Sequence, residues 1–424
     1  MAEAPRGPST CCSERSLRGV CVPRNGNCAV NSDCTGSTDT CTSGVCTCAG
    51  NPCSGTCTNG TCVQCRTTSE CGGGRVCLGG RCGVWVQVST IGQFDSSSQD
   101  ADAFKVPEGA GFSGDGLTLA VADQGNHRIS VWTRPDVRSF NWSPVSFVPT
   151  RLAIAGSDDG SLDNPESVVL SPDGLVMYIA DTDNNRVVIW TRTAATDTSW
   201  TFQTKFGSYG TDGSAPQDIE EDQRVWISPD QRRAYVTSYG DNQSNSRVLV
   251  WERSSPTATD WAWQYNVPGD GPNIDGSGPA QFERIYGAWL TPDELTMYVA
   301  DNGNDRISVW ARPSIAATNT WQHQYNFGTA GESSNQFNGL ETIMLSNDGL
   351  LAFMSDQDNN RVSVWSREDV ASPAWTPAFI IGNQNGTDLD NPSTVATSDD
   401  FQTIYIVDQN HERVAIWGFR ATAG

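Results

Sequence analysis

A short pattern of alternating polar and apolar residues returns six times along the chain. Each copy begins with Arg and ends with Trp: Arg128-Ile-Ser-Val-Trp132, Arg186-Val-Val-Ile-Trp190, Arg247-Val-Leu-Val-Trp251, Arg306-Ile-Ser-Val-Trp310, Arg361-Val-Ser-Val-Trp365 and Arg413-Val-Ala-Ile-Trp417. The tryptophans are 58, 61, 59, 55 and 52 residues apart. β-Branched residues in alternation predict strands. A period this long, built from short strands, predicts a ring of small sheets rather than a solenoid of helix pairs.

The second repeat predicts the strands of one unit. Ser171-Pro-Asp-Gly174 is typical of a tight turn, because Pro presets one backbone angle and Gly accepts a positive one. Strands are predicted on both sides of this turn and of a polar hairpin loop, over residues 166–170, 175–180, 186–192 and 200–207. Four strands in each of six repeats predict an all-β, six-bladed β-propeller.

The ring must also close. After Trp417 only seven residues remain in the sequence, too few for a fourth strand. Residues 84–91 precede the first repeat and have strand character, so we expect them to form the outer strand of blade 6 and to remove a free sheet edge. The predicted domains are therefore a head or stalk, residues 1–83, and a propeller, residues 84–424.

Cysteine usage separates the head from the rest of the chain. All 15 cysteines lie between Cys11 and Cys82, in a segment with few large apolar residues. Such a segment needs cross-links to hold it together. Zinc is an alternative, given Cys46-Thr-Cys48 and Cys62-Val-Gln-Cys65, but the head has no His. Disulfides are favoured, and with them an oxidising, extracellular or cell-surface location.

The cysteines fall into three units of four: Cys28-x5-Cys34-x6-Cys41-x4-Cys46, Cys48-x4-Cys53-x3-Cys57-x4-Cys62 and Cys65-x5-Cys71-x5-Cys77-x4-Cys82. They resemble the short cysteine-rich repeats of secreted proteins from myxobacteria and related bacteria. Cys11, Cys12 and Cys21 are left over, and an odd total cannot pair within one chain. We expect Cys21 to pair with Cys11 or Cys12, leaving the other for an intermolecular disulfide or for attachment of a lipid; a free thiol is the alternative.

Charge narrows the class of partners. The net charge is −22, and the head has seven Arg against five acidic residues, so the remaining residues carry −24. This disfavours nucleic acid and anionic membranes and favours basic surfaces or cations. No apolar run approaches the roughly 18 residues that a membrane span requires. The predicted partners are proteins or further copies of this chain, up to a homopolymer.

The hairpin sequences resemble a known repeat. Tyr178-Ile-Ala-Asp-Thr-Asp-Asn-Asn-Arg186-Val-Val-Ile and Ala120-Val-Ala-Asp-Gln-Gly-Asn-His-Arg128-Ile are similar to the NHL repeat, and the likeness extends over about residues 85–424. NHL repeats imply propeller blades. The third repeat departs from the pattern, with Ser238 in place of Asp and a loop four residues longer before Arg247.

An Asp and an Arg five residues apart flank the hairpin in five repeats: Asp123 and Arg128, Asp181 and Arg186, Asp301 and Arg306, Asp356 and Arg361, Asp408 and Arg413. We expect each pair to form an ion pair that fixes the loop.

Calcium binding is the alternative for two of these loops. Asp181-Thr-Asp-Asn-Asn185 and Asp356-Gln-Asp-Asn-Asn360 also resemble the start of a calcium loop. The EF-hand glycine and distal Glu are missing, which favours pairing over calcium.

The channel mouth is the candidate chemical site. Counting back from each turn places six residues at one position of the inner strands: Glu108, Glu166, Gln223, Tyr286, Glu341 and Ser393. Three carboxylates at one mouth would bind a divalent cation such as calcium or raise one another's pKa. Some six-bladed enzymes resembling gluconolactonases hold a divalent metal in this region. The alternative is a hydrated, charged channel lining.

Histidine offers little further chemistry. His127 and His411 lie in equivalent loops of neighbouring blades, and His323 lies in an outer strand. A propeller lyase of peptide amidation uses histidine-bound zinc, but loop histidines are more often surface residues. The propeller residues contain no G-x-S-x-G motif or phosphate-binding loop. The sequence favours a secreted or cell-surface binding and assembly protein over an enzyme; the alternative is a metal-dependent hydrolase or lyase.

Overall fold

The structure is a computed structural model. It describes residues 81–93, 100–149, 154–208, 215–239, 246–269, 275–316, 319–382, 389–398 and 400–421, and the short segments 16–17, 20–21, 40–42, 45–48, 51–53, 56–58, 61–63, 65, 68–71 and 75–78. The chain divides into two compact units. One comprises Met1–Val84 with Arg367–Asp369 and Phe419–Gly424; the other comprises Trp85–Ser366 and Val370–Gly418.

The N-terminal segments are short antiparallel strands. They are β1 (Ser16–Leu17), β2 (Val20–Cys21), β3 (Thr40–Thr42), β4 (Val45–Cys48), β5 (Asn51–Cys53), β6 (Thr56–Thr58), β7 (Thr61–Val63), β8 (Val76–Leu78) and β9 (Arg81–Ile91), with a 3-10 turn at Thr68–Glu70. Cys65 bonds to Cys77 and Cys71 to Cys82. Disulfides, rather than zinc, are therefore confirmed for these four cysteines, and for the other cysteines they stay a prediction. Cys11 and Cys12 lie outside the described residues.

Six sheets form the propeller, and five of them are consecutive four-stranded antiparallel blades. Blade 1 is β10 (Pro107–Phe112), β11 (Thr118–Asp123), β12 (Arg128–Thr133) and β13 (Ser143–Val148). Blade 2 is β14 (Pro165–Leu170), β15 (Val176–Asp181), β16 (Arg186–Thr191) and β17 (Thr201–Phe206). Blade 3 is β18 (Asp222–Ile227), β19 (Arg233–Ser238), β20 (Arg247–Glu252) and β21 (Ala262–Val267).

The remaining blades follow the same plan. Blade 4 is β22 (Ile285–Leu290), β23 (Thr296–Asp301), β24 (Arg306–Ala311) and β25 (Gln322–Phe327). Blade 5 is β26 (Leu340–Leu345), β27 (Leu351–Asp356), β28 (Arg361–Ser366) and β29 (Thr376–Ile381). Blade 6 contains β30 (Pro392–Thr397), β31 (Thr403–Asp408) and β32 (Arg413–Ala421). Single 3-10 turns follow β11, β15 and β23, at Gln124–Asn126, Thr182–Asn184 and Asn302–Asn304.

The N-terminal strand closes the ring. The strand order in the sixth sheet is β30-β31-β32-β9-β8, so β9 is the fourth strand of blade 6. The predicted closing strand is confirmed, and it begins at Arg81, three residues before the predicted start. The inner strand β10 contacts both β14 and β30, which completes the circle around a central channel. Among the described residues, no helix is long and apolar enough to cross a membrane.

An arginine two residues beyond the repeat tryptophan joins neighbouring blades. Arg253 lies with its guanidinium 4.7 Å from the ring centre of Trp261. Its nitrogens donate to the carbonyls of Gln231 and Ala258, at 2.8 and 3.2 Å, and to the Tyr178 hydroxyl of the preceding blade at 2.7 Å. The same contacts with a turn carbonyl and a tryptophan ring are made by Arg134, Arg192 and Arg312. Through hydroxyl groups of the preceding blade, these buried arginines tie blades 1 to 4 each to the blade before it.

Candidate functional site at the channel mouth

The predicted Asp and Arg residues meet at the end of the channel where the inner strands begin. The distances from Asp Oδ2 to Arg Nε are 2.6 Å for Asp123 and Arg128, 2.7 Å for Asp181 and Arg186, 2.7 Å for Asp301 and Arg306, 2.5 Å for Asp356 and Arg361, and 2.6 Å for Asp408 and Arg413. The other oxygen of each Asp accepts the N–H of the residue 18 positions upstream, at 2.7 Å. Each pair thus holds the loop that leads into its own inner strand.

Blade 3 replaces the carboxylate with a hydroxyl. Ser238 Oγ accepts the N–H of Glu220 at 3.0 Å and donates to its carbonyl at 2.6 Å. Arg247 donates to the carbonyl oxygens of Ala215 and Asp218, at 3.3 and 2.7 Å. The loop is therefore held by backbone hydrogen bonds, and the third repeat keeps the blade geometry without the Asp.

Arg224 lies between two of the predicted carboxylates. Its Nη2 is 3.7 Å from Glu108 Oε2 and 3.8 Å from Glu341 Oε2, and its Nη1 donates to the backbone carbonyl of Glu166. The residues come from the inner strands of blades 1, 2, 3 and 5. One guanidinium from blade 3 thus reaches across the channel and stands between acids of blades 1 and 5.

Burial sets the protonation of the two acids. Loss of solvent raises the pKa of Glu108 to about 7, although the Arg224 charge opposes the rise. Gln409 Nε2 donates to the second oxygen of Glu108. Loss of solvent, followed by the negative charge of Glu108, raises the pKa of Glu341 to about 8. Both acids therefore exchange protons near neutral pH, as a general acid or base must.

The opposite side of the mouth is aromatic. The rings of Tyr239 and Tyr286 are 5.6 Å apart, and Arg284 Nη2 donates to the Tyr286 hydroxyl at 2.8 Å. Burial, with the charge of Glu341 next, raises the pKa of Tyr286 to about 12, so it remains a neutral hydroxyl.

The third predicted carboxylate also has a partner at the mouth, since Glu166 Oε1 accepts a hydrogen bond from Gln124 at 3.3 Å. Acids, amides and aromatic rings together suit a polar ligand.

The three glutamates do not converge as metal ligands do. In the part of the chain that the structure describes, one group of three Cys, His, Asp or Glu residues has all its ligand atoms within 4.8 Å: Cys65, Cys71 and Cys82, which are in disulfides. A cation bound by Glu108, Glu166 and Glu341 stays a prediction.

The hairpin loops use their carboxylates internally. Asp181 accepts from Arg186 Nε, from Asn184 Nδ2 at 3.0 Å and from the N–H of Asp163. These donors occupy lone pairs that calcium would require. Asp356 makes the equivalent contacts with Asn359, Arg361 and the N–H of Asn338. The arrangement favours loop fixation over calcium binding.

Each histidine has a local partner. His127 Nδ1 is 3.1 Å from Asp163 Oδ1, and His411 Nδ1 is 3.0 Å from Asp408 Oδ2. His323 lies in β25 with Nε2 2.9 Å from Asn326 Oδ1. These contacts place the histidines in separate hydrogen-bonded settings rather than around one ion.

Sequence reasoning missed Arg224, although the repeats contain a signal for it. The residue after each predicted mouth position is small in five blades: Gly109, Ser167, Gly287, Thr342 and Thr394. In blade 3 it is Arg224. A long, positively charged side chain therefore stands at a position where the other five blades have small residues. This difference indicates that the channel is packed differently at blade 3.

Comparison with known proteins identifies the class as a six-bladed β-propeller. No protein-family model and no curated protein sequence matches the chain. The periplasmic gluconolactonase of Pseudomonas aeruginosa has a similar structure, with a TM-score of 0.51, 16% identity, and coverage of 79% of this chain and 90% of that one. Hydrazine synthase of Kuenenia stuttgartiensis aligns with a TM-score of 0.48, 14% identity, and coverage of 77% and 99%. At such identity the likeness to the gluconolactonase establishes the fold alone, and the NHL likeness stays a resemblance in sequence.

Proposed function

We propose that the chain is a secreted or cell-surface binding and assembly protein. The propeller serves as a rigid interaction scaffold, and residues 1–83 mediate contact between molecules, up to a homopolymer. The observation that carries this proposal is the position of Arg224 between Glu108 and Glu341. The Arg224 guanidinium occupies the position where a metal ion shared by Glu108 and Glu341 would bind. Such an occupied position suits a scaffold better than a metal-dependent active site.

Two further features support the compartment and the mode of contact. The disulfides of Cys65 with Cys77 and Cys71 with Cys82 are typical of oxidising, extracellular environments. The head is slightly basic and the remaining chain strongly acidic, so the head of one molecule is attracted to the propeller of another. An unpaired Cys11 or Cys12 would then make the contact covalent.

Sedimentation velocity of the full chain tests this proposal. We expect oligomers at low salt that persist in high salt only in the oxidised protein. A Cys11→Ser/Cys12→Ser variant should lose the salt-resistant species and keep the weaker, salt-sensitive association. A monomer at high protein concentration and low salt, with and without reductant, would contradict the assembly role.

The alternative is a metal-dependent hydrolase or lyase. It is supported by the near-neutral pKa values of Glu108 and Glu341 and by the shared fold with a gluconolactonase. Metal analysis of purified protein tests it. A stoichiometric divalent ion that is lost in a Glu108→Gln/Glu166→Gln/Glu341→Gln variant, but kept in the exposed control Glu332→Gln, would favour the enzyme. Retention in the triple variant would move the ion to the hairpin loops around Asp181 and Asp356.

A further inference from the structure

A hollow of about 560 Å³ lies at the seam between blades 6 and 1. Its lining comes from the turns after the inner strands β30 and β10 and from the connector between β12 and β13. Asp115, Val137 and Asp400 line it and are exposed, whereas Arg134 and Thr403 line it and are buried, so the hollow reaches from solvent into the seam. The volume lies within the range of about 300–1,000 Å³ that is usual for ligand pockets.

Arg134 has one nitrogen without a protein partner at this hollow. Its Nε donates to the carbonyl of Gly116 at 2.7 Å, and its Nη1 donates to the Ser139 carbonyl and the Tyr405 hydroxyl, at 3.3 and 3.0 Å. No residue that the structure describes accepts a hydrogen bond from Nη2. This nitrogen lies on the side of Gly116, another lining residue, since it would be 3.2 Å from a Cβ added there. The seam therefore fixes the guanidinium and leaves one donor group for a ligand.

The equivalent groups at the seam between blades 1 and 2 bind each other. There Arg192 Nη2 donates to the Thr118 hydroxyl at 3.3 Å. Thr403 begins β31 as Thr118 begins β11, and it is the corresponding hydroxyl for Arg134. Within the described ranges of the chain, the Thr403 hydroxyl has no hydrogen-bond partner. A donor and a hydroxyl that are joined at one seam are thus both available at the other.

The wall beside these two groups is apolar and partly aromatic. Phe112, Val137 and Phe140 line the hollow. Phe140 lies two residues before the tryptophan of its connector, a position where blades 2 to 5 have Thr198, Thr259, Asn319 and Pro373. An aromatic residue at this position is thus particular to blade 1, and it places a ring surface beside the free donors.

The acidic residues of the rim do not cancel the buried charge. Asp115 and Asp400 each accept the N–H of the residue two positions further on, at 2.9 and 3.0 Å. Both are exposed, so solvent and salt screen their charges far more than the charge of the buried Arg134. Arg138, which is also exposed, adds a second positive charge to the lining. The interior of the hollow therefore favours an anion.

We propose that this hollow binds a small aromatic monocarboxylate. The carboxylate accepts hydrogen bonds from Arg134 Nη2 and the Thr403 hydroxyl, and the ring packs against Phe112 and Phe140. An ionised acceptor forms stronger hydrogen bonds than a neutral one, and burial of the ring adds a hydrophobic contribution. The site is separate from the channel mouth and from the contacts between molecules proposed above, and it does not depend on them.

Isothermal titration of the oxidised full chain at pH 7, in about 0.15 M salt to screen distant acids, tests the proposal. We expect 3-phenylpropionate to bind with a Kd below about 1 mM. It should bind at least about fivefold more tightly than 3-phenylpropionamide, which is uncharged, and at least about tenfold more tightly than propionate, which lacks the ring. Equal or tighter binding of 3-phenylpropylamine, which has the opposite charge, would overturn the proposal, as would no saturation by 3-phenylpropionate up to about 5 mM.

Thr403→Val is the first variant, because it removes one donor and keeps the shape of the side chain. The hydroxyl has no partner among the described residues, so we expect the fold to be unaffected. Binding of 3-phenylpropionate should weaken at least about fivefold. The matched control is Thr296→Val, which changes the equivalent first residue of β23 in blade 4, outside the lining, and should leave the Kd unchanged.

Two further variants test the cation and the wall. Arg134→Met should weaken binding at least about tenfold. Its control is Arg192→Met, which loses similar contacts at the next seam but does not line the hollow. Phe140→Thr introduces the residue of blades 2 and 3 and should weaken binding of 3-phenylpropionate but not of propionate. Urea unfolding confirms that each variant is folded. Wild-type affinity in both Thr403→Val and Phe140→Thr would place the ligand elsewhere and refute the site, even if Arg134→Met did not fold.

Discussion

The seam between blades 2 and 3 and the seam between blades 5 and 6 fill one structural position in different ways. In the first, Arg253 donates to the turn carbonyl of Gln231 and to the Tyr178 hydroxyl of the preceding blade. In the second, Trp85 Nε1 donates to the turn carbonyl of Phe401 at 3.3 Å, and its ring meets Phe353 edge to face at 5.5 Å. At the second seam Trp85 takes the place of the charged Arg253, and Phe353 takes the place of Tyr178 with its hydroxyl.

The difference follows from chain connectivity. In blades 1 to 3 a carbonyl of the connector to the fourth strand, five residues after the arginine, accepts from its guanidinium: Ser139, Asp197 and Ala258. The fourth strand of blade 6 is β9, so no connector joins it to β32. An arginine there would be buried without this acceptor, which is costly. The sequence has Phe419 at that position. Because the closing strand β9 comes from a distant part of the chain, an uncharged interface is favoured at this seam.

Removal of the closing strand should have the largest effect. Deletion of residues 84–92 exposes the edge of β32 and removes Trp85, so we expect the cooperative unfolding transition of the propeller to disappear. Urea unfolding followed by tryptophan fluorescence measures this. The control is Val86→Thr in the same strand, where the side chain is 38% exposed and the expected change is below about 0.5 kcal/mol. An unchanged transition after the deletion would disprove closure by β9.

Trp85→Ala should come next. The side chain is 2% exposed, and truncation of a buried tryptophan costs about 3–5 kcal/mol. Since no charge is involved, the loss in free energy of unfolding should be the same in low and high salt. A loss below about 1 kcal/mol would mean that the ring of Trp85 contributes little to the seam.

Arg253→Met should be less destabilising at its own seam, by about 1–3 kcal/mol, because Met keeps part of the packing while the two carbonyls and Tyr178 lose a donor. Equilibrium unfolding in urea is the measurement. The matched control is Arg138→Met, an exposed arginine in the connector of blade 1. A loss equal to that of Trp85→Ala or larger would reverse the ranking of the two seams.

Reciprocal exchange of one hydroxyl gives the smallest and sharpest comparison. Tyr178→Phe removes the acceptor of Arg253 and should cost about 0.5–1.5 kcal/mol. Phe353→Tyr adds a hydroxyl beside Trp85, which occupies the place that Arg253 has at the other seam, and should destabilise by about 1 kcal/mol. If Phe353→Tyr instead stabilised the protein in thermal unfolding, the aromatic seam would not require an apolar partner.

The sequence predicts the parts of this molecule that are local or repeated. The Asp–Arg pairs lie five residues apart on one hairpin, so their contact follows from strand register. The closing strand was predictable because one blade lacked a strand. Arg224 was not predicted, because its partners Glu108 and Glu341 are more than 100 residues away in either direction and meet it only in the closed ring. The hollow between blades 6 and 1 likewise joins the last repeat to the first, which no single repeat encodes.

The position of β9 also imposes an order on biosynthesis. Blades 1 to 5 contain only consecutive strands, so each is complete soon after it is made. Blade 6 requires β9 and β32, whose facing ends at Ile91 and Arg413 are separated by roughly 320 residues. At about 5–20 residues per second, the ribosome takes tens of seconds to supply the second strand after the first. During that interval β9 has no partner strand from blade 6, and blades 1 to 5 can form before β32 pairs with β9 and closes the ring.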